Sequence, residues 1–216
     1  MSERNPVRDR DRIPTGVEGL DVALGGGIPA GDLVALVAPP TSGAERLLYA
    51  FGIDNPTRYC STLRPPAEVR DAMAAAGIPD ERVDVRSTDG DDLLGTPADH
   101  LSGLDAGSVV VVDPATALER AGEERYRSFL EDLKRHCRTT ESVAVCHCPR
   151  TTPRTLRRDL TLARADTTVV LRREVDTGTT RSYLDVGKFR HGRPPTDPLP
   201  VDLRGTPSVA VGDDAD

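Results

Sequence analysis

Residues 34–48 read VALVAPPTSGAERLL. An unbroken apolar run, Leu33–Ala38, enters a turn of small and hydroxyl residues and leaves as a helix over 42–51. That order, strand then tight turn then helix, builds the cradle in which N–H groups at a helix start hold phosphate, and its working form is G-x-x-x-x-G-K-[ST]. Aligned on Gly43, the eight positions here are Ala38, Pro39, Pro40, Thr41, Ser42, Gly43, Ala44 and Glu45. Ala44 stands where a lysine would neutralise the terminal phosphates, and Glu45 where a hydroxyl would hold magnesium. Pro39 and Pro40 have no N–H to offer, though the residues after them do. A carboxylate at a helix start competes with phosphate for the same positive pole, so Glu45 is expected to stand in for the anion by capping its own helix. The site is therefore a degenerate phosphate loop, its candidate binding positions being Thr41, Ser42, Gly43, Ala44 and Glu45.

Outward from this junction the chain alternates strand and helix. Gly16–Leu24 forms a short helix stopped by Gly25, Gly26 and Gly27. Strands are expected over 58–62 and 82–87, with a helix over 67–76 between them. Ser108–Asp113, SVVVVD, has the continuous apolar character of a strand covered on both faces and is expected at the sheet's centre. Tyr126, Phe129, Leu130 and Leu133 recur at spacings of three and four, which makes 123–137 an amphipathic helix. Strands follow at 143–147, 167–172 and 182–189, with a helix over 155–164. The last two strands, 199–203 and 208–211, come without a helix between them and so are antiparallel edge additions. The fold class is α/β, a doubly wound parallel sheet with antiparallel C-terminal edge strands. Residues 1–12 are expected as a flexible leader, 13–211 as one domain, and 212–216 as a short acidic tail.

Charge and cysteine usage narrow the function classes. In 216 residues there are 35 acidic and 28 basic side chains, a formal charge of -7 that repels nucleic acid unless cations cluster locally. Lys134 and Lys188 are the only lysines, and arginine supplies the rest of the positive charge. This balance is usual for salt-adapted (halophilic) or GC-rich organisms, and codon bias alone yields it equally well. Arg150, Arg154, Arg157 and Arg158 form a local basic stretch, but no aromatics are interleaved for base stacking, and a solvated helix face is expected. No apolar run is long enough to span a bilayer and no charged, apolar signal segment precedes the domain, so a cytoplasmic protein with reduced thiols is expected. Cys146 and Cys148 project to one side of their strand and His147 to the other, unlike the spacing of zinc sites. No metal site and no catalytic residue is expected.

Several stretches in order resemble the RecA-like P-loop ATPases, and within them the KaiC-like proteins found widely in archaea. IPTGVEGLDVALGGGIPAGDLVALVAP (13–39) is similar to that family's opening helix, glycine turn and first core strand. SVVVVDPAT (108–116) resembles the Walker B strand, with Asp113 as its aspartate. Residues 145–174 resemble the later strand, helix and A-D-x-x-x-x-L strand, and LDVGKFRHGRPP (184–195) resembles the segment ending in a K-x-R pair. The resemblance implies a RecA-like fold over 13–211. It also implies that Lys188 and Arg190 reach the nucleotide of an adjacent subunit, as the K-x-R pair does in KaiC-like rings. The water-activating glutamates of the family would fall near YCSTLRPP (59–66), where Leu63 and Arg64 stand instead. Loop lysine, magnesium hydroxyl and catalytic acid are thus missing together. The expectation is a catalytically inactive regulatory or assembly subunit, a pseudo-ATPase that uses no cofactor and contacts a RecA/KaiC-like paralogue or its own copies. The alternatives are a weak ATPase binding ATP and magnesium through Thr41, Ser42 and loop N–H groups, and a recombinase-like DNA-binding accessory protein.

Overall fold

A computed structural model describes residues 11–176 and 178–210. Most of the expected leader and all of the expected acidic tail lie outside the described residues. Arg12 does not belong to a leader: with Ile13 it forms β1 (Arg12–Ile13), paired antiparallel with β2 (Ile28–Pro29). Between them runs α1 (Glu18–Ala23).

Among the described residues the main sheet has nine strands. Its parallel part contains β3 (Leu33–Ala38), β4 (Thr57–Ser61), β5 (Val83–Ser87), β6 (Val109–Asp113), β7 (Val143–Pro149) and β8 (Thr167–Asp176). Three antiparallel strands extend it at one side: β9 (Thr179–Phe189), β10 (Leu199–Asp202) and β11 (Ser208–Val209). The spatial order is β11-β10-β9-β8-β3-β7-β6-β4-β5. The middle position falls to β3, so the valine strand β6 is interior but not central. Its continuous apolar character reports cover on both faces, which every inner strand of such a sheet shares.

Alternation along each strand divides the core. Val34, Leu36, Tyr59, Val109, Val111, Val143 and Val145 face α2 (Glu45–Asp54), α3 (Pro66–Ala75) and α1. Leu33, Ala35, Cys60, Val110, Val112, Ala144, Cys146 and Cys148 face α6 (Glu123–Thr139). On α6 the expected residues Tyr126, Phe129, Leu130 and Leu133 are all buried, each worth about 1.5–3 kcal/mol of transfer free energy. The link from β5 to β6 carries two helices that no sequence periodicity signalled, α4 (Gly90–Gly95) and α5 (Pro97–Leu101). After β7 the helix α7 (Arg158–Arg164) starts three residues later than expected.

β8 is longer than the expected 167–172. Its first residues lie between β3 and β9, the register with β3 running from Thr167 to Val170. From Leu171 to Asp176 it pairs with β9 alone, so the two strands project as a ribbon past the end of β3. Among the described residues no helix is long and apolar enough to cross a membrane.

Candidate functional site

The carboxyl ends of β3, β4, β6 and β7 meet at one rim of the sheet, where α/β folds place their ligand sites. The turn after β3 is closed on itself. The Ser42 hydroxyl donates to the Pro39 carbonyl at 2.6 Å, and the Ser42 N–H donates to the same oxygen at 3.1 Å. Gly43 has φ +74°, a conformation only glycine takes without strain. Ala44 is buried in the core against α2, so the position a phosphate-binding lysine would occupy is filled inward. Arg173 of β8 reaches over the loop and donates to the Thr41 carbonyl at 2.8 Å.

Glu45 does not cap its helix as expected. It is the first residue of α2, Ala44 is the cap position, and no side-chain cap hydrogen bond forms there. The carboxylate's contribution is limited to its place in the first turn, where a negative charge on an exposed helix start stabilises by about 0.3–1 kcal/mol.

The second half of the site is a buried polar cluster around Asp113, at the end of β6. His147 Nδ1 lies 2.6 Å from Asp113 Oδ1, the Tyr59 hydroxyl donates to Oδ2, and Arg64 Nη2 donates to Oδ2 at 3.0 Å. Strand register explains the meeting: Ser61 pairs with Asp113, and Val112 with Cys146, so the neighbouring β4, β6 and β7 end side by side. Asp113 and His147 are almost wholly buried, while the Arg64 side chain keeps 27% of its surface. Arg64 also lies over the Tyr49 ring at 5.9 Å, and the Tyr49 and Tyr59 rings are 5.7 Å apart. The loop that delivers it is anchored by Thr62, whose N–H donates to the Asp113 carbonyl at 2.8 Å and whose hydroxyl donates to Pro114 at 2.7 Å.

The electrostatics follow from these contacts. Burial pushes the Asp113 carboxyl up, but the His147 hydrogen bond and charge, the Tyr59 hydroxyl and the Arg64 guanidinium outweigh it and hold it below the ordinary carboxylate value. Burial and the nearby Asp113 charge raise the Tyr59 phenol well above its usual range, so it stays a donor. His147 Nε2 is buried without a hydrogen-bond partner among the described residues. Asp113 accordingly has its charge balanced and its oxygens occupied by the chain itself, a poor starting point for a magnesium ion that wants several free oxygens.

A second buried ion pair closes the opposite face of the rim. Arg158 forks onto Glu119 with Nε–Oε1 2.7 Å and Nη2–Oε2 2.8 Å, and the Thr161 hydroxyl donates to Oε1 at 2.6 Å. Glu119 lies in a 3-10 turn, Leu118–Arg120, after β6, and Arg158 opens α7, so the pair ties two adjacent rim loops together. This corrects the solvated basic face expected for 150–158 at one position: Arg158 is buried, while Arg150 and Arg154 are exposed, Arg154 pairing at the surface with Asp159 at 2.7 Å. Sequence gave no warning of the pair beyond Arg158 and Thr161 sharing one helix side.

Lys188 and Arg190 lie at the other rim. β9 runs antiparallel to β8, placing Lys188 opposite Thr168, while Thr167 pairs with Val34 near the start of β3. The two cations are therefore separated from their own phosphate loop by nearly the length of β3, roughly 15 Å at about 3.3 Å per residue. Lys188 Nζ donates to the carbonyls of Leu162, Ala163 and Ala165, which satisfies the C-terminal end of α7. Arg190 donates to Asp166 at 3.1 Å, and the same carboxylate takes Lys134 and the Leu33 N–H. Both lysines of the chain thus act within it.

With this geometry in view, comparison defines the fold. The fold is RecA-like: it superposes on the crystal structure of a KaiC-like protein from the hyperthermophilic archaeon Pyrococcus horikoshii OT3 with a TM-score of 0.77 and 17% sequence identity. The match covers 94% of this chain and 100% of that one. The chain itself belongs to DUF7125, a family of unknown function whose family model matches residues 12–216.

Proposed function

We propose that this protein is a catalytically inactive member of the RecA/KaiC-like fold, a pseudo-ATPase that regulates or assembles with a partner through protein contacts. The observation that carries the reading is the Asp113 cluster. In an active site of this fold class the aspartate at the end of this strand serves a metal bound to nucleotide. Here Arg64, His147 and Tyr59 take up its oxygens, and the lysine position of the loop is a core alanine.

The partner contact proposed for Lys188 and Arg190 fits their place at the rim away from their own loop, which neither can reach. Arg190 is the better placed of the two, with 48% of its side chain exposed. The expected partner is a RecA/KaiC-like paralogue with an intact loop, or a second copy.

Titration calorimetry with magnesium and ATP tests the central reading: no binding tighter than about 100 μM, roughly 5.5 kcal/mol, is expected. Binding together with turnover supports instead a weak ATPase, which the arginines beside Thr41–Gly43 favour as the second reading. Co-elution with an intact relative, lost in Arg190→Ala, tests the partner role.

A further inference from the structure

A cleft of about 480 Å³ lies between α6 and the C-terminal end of α7, beside Arg190 and away from the phosphate loop. On a molecule of net charge -7 its walls are cationic: Lys134, Arg135, Arg138, Arg164 and Arg190 line it with a single acidic side chain, Glu131. One helix face delivers most of them, since 131, 134, 135 and 138 recur at steps of three and four along α6. That face is turned toward α7 and β8, because Lys134 donates to the Arg164 carbonyl at 3.0 Å and to Asp166 at 2.8 Å. Arg190 reaches the same carboxylate from the end of β9 at 3.1 Å.

The charges here do not balance. Arg164 pairs with Glu131, Arg135 pairs with Asp132 at 2.6 Å, and Lys134 and Arg190 share Asp166. The Arg138 side chain has neither ion pair nor hydrogen bond among the described residues. Lys188 stands against the wall, on the carbonyl of Ala163, which itself lines the cleft. Three carboxylates thus answer six cations, an excess of three charges. Lys188 registers that excess: burial, then the Arg190 charge and, against the opposing pull of Asp166, Lys134 hold its ammonium below the ordinary value. Arg138 from α6 and Arg190 from the end of β9 keep guanidinium donors to spare, and such forks suit phosphoryl oxygens. The volume is that of a small-molecule site. A diphosphate carries about three negative charges at neutral pH, which matches the excess.

We propose that this cleft binds a diphosphate group between Arg138 and Arg190, at a site separate from the phosphate loop and independent of what that loop holds.

Lys134 and Lys188 are the only lysines, so isotopic labelling of lysine gives two resolvable side-chain sets in NMR spectra. Inorganic pyrophosphate is expected to shift the Lys188 signal, saturating below about 1 mM, and to raise its titration midpoint, since an added anion favours the charged ammonium. Arg138→Ala, which removes no contact of the fold, should weaken the binding about tenfold. ADP binding as tightly as pyrophosphate supports the proposal with a nucleotide tail as the source, and pyrophosphate binding alone supports it with the free anion. No shift up to about 10 mM pyrophosphate overturns the proposal, as does an equal response to sodium sulfate at matched ionic strength, or an undiminished one in Arg138→Ala. The amides of Thr41, Ser42 and Gly43 judge the loop separately: they should stay still throughout, and their moving with magnesium and ATP sinks the loop reading whatever Lys188 reports.

Discussion

Asp113 is held by three side chains that lie 34 to 54 positions away from it in sequence: His147, Arg64 and Tyr59. Removing one member of a buried charged set leaves the others desolvated and unmatched, which is the costly case. Asp113→Asn is therefore expected to lower stability by about 3 kcal/mol at neutral pH, measured by urea unfolding. A loss under about 1 kcal/mol would show that Arg64 and His147 find water as readily without the carboxylate. The aspartate itself was legible, because four valines lead to it at a strand end. Its partners were not: Arg64 read as the mere absence of an acid, and His147 as the side of a strand facing away from two cysteines. Only the register of β4, β6 and β7 brings the four together, and register is a long-range property that no local spacing encodes.

At the scale of elements, what the sequence announced is what burial dictates. Inner strands and α6 carry unbroken or periodic apolar residues, and all but the β8–β9 pair, which runs on three or four residues further, fall within a residue or two of their expected places. The helices α4 and α5 were silent because they are short, begin with glycine or proline, and bury only Leu93, Leu94 and Leu101. The outer half of the β8–β9 ribbon was silent because its residues are exposed and polar, so no core pattern marks them. Two glycines show how backbone geometry is enforced. Gly16 has φ +75° and an added Cβ would sit 1.9 Å from the Ala50 carbonyl oxygen of α2, whereas Gly43 has φ +74° with nothing within 4 Å. Gly43→Ala should cost only the backbone term, about 1 kcal/mol, while Gly16→Ala should cost several times that by pushing α1 away from α2. Thermal unfolding of the two variants checks the contrast, and equal losses would contradict the close approach.

For the molecule as a whole, two buried aspartates pin the sheet at opposite rims. Burial raises Asp166, but the Lys134 ammonium, the Leu33 N–H and His191 outweigh it, so its pKa, like that of Asp113, lies below the ordinary value. A carboxylate depressed on folding contributes stability above its unfolded pKa of about 3.9, and that contribution fades as pH falls through the folded value. Unfolding free energy should therefore drop below about pH 4 in the native protein, and the double variant Asp113→Asn, Asp166→Asn should show a flatter acid limb. An unchanged acid limb in that variant would assign the loss to general surface charge instead.

The ribbon that outruns β3 leaves the β8 strand with a bare backbone border from Leu171 to Asp176. Such a border is a template onto which a stray strand can zip, and it is the usual starting point of unwanted aggregation. In this chain it bears Arg172, Arg173, Glu174 and Asp176 around one exposed aliphatic residue, Val175, while Leu171 is buried in the core. Closely spaced charges of both signs make a flush, dry contact with a like neighbour expensive to form. The projecting arm can thus reach out beside the loop without becoming a seed for fibres.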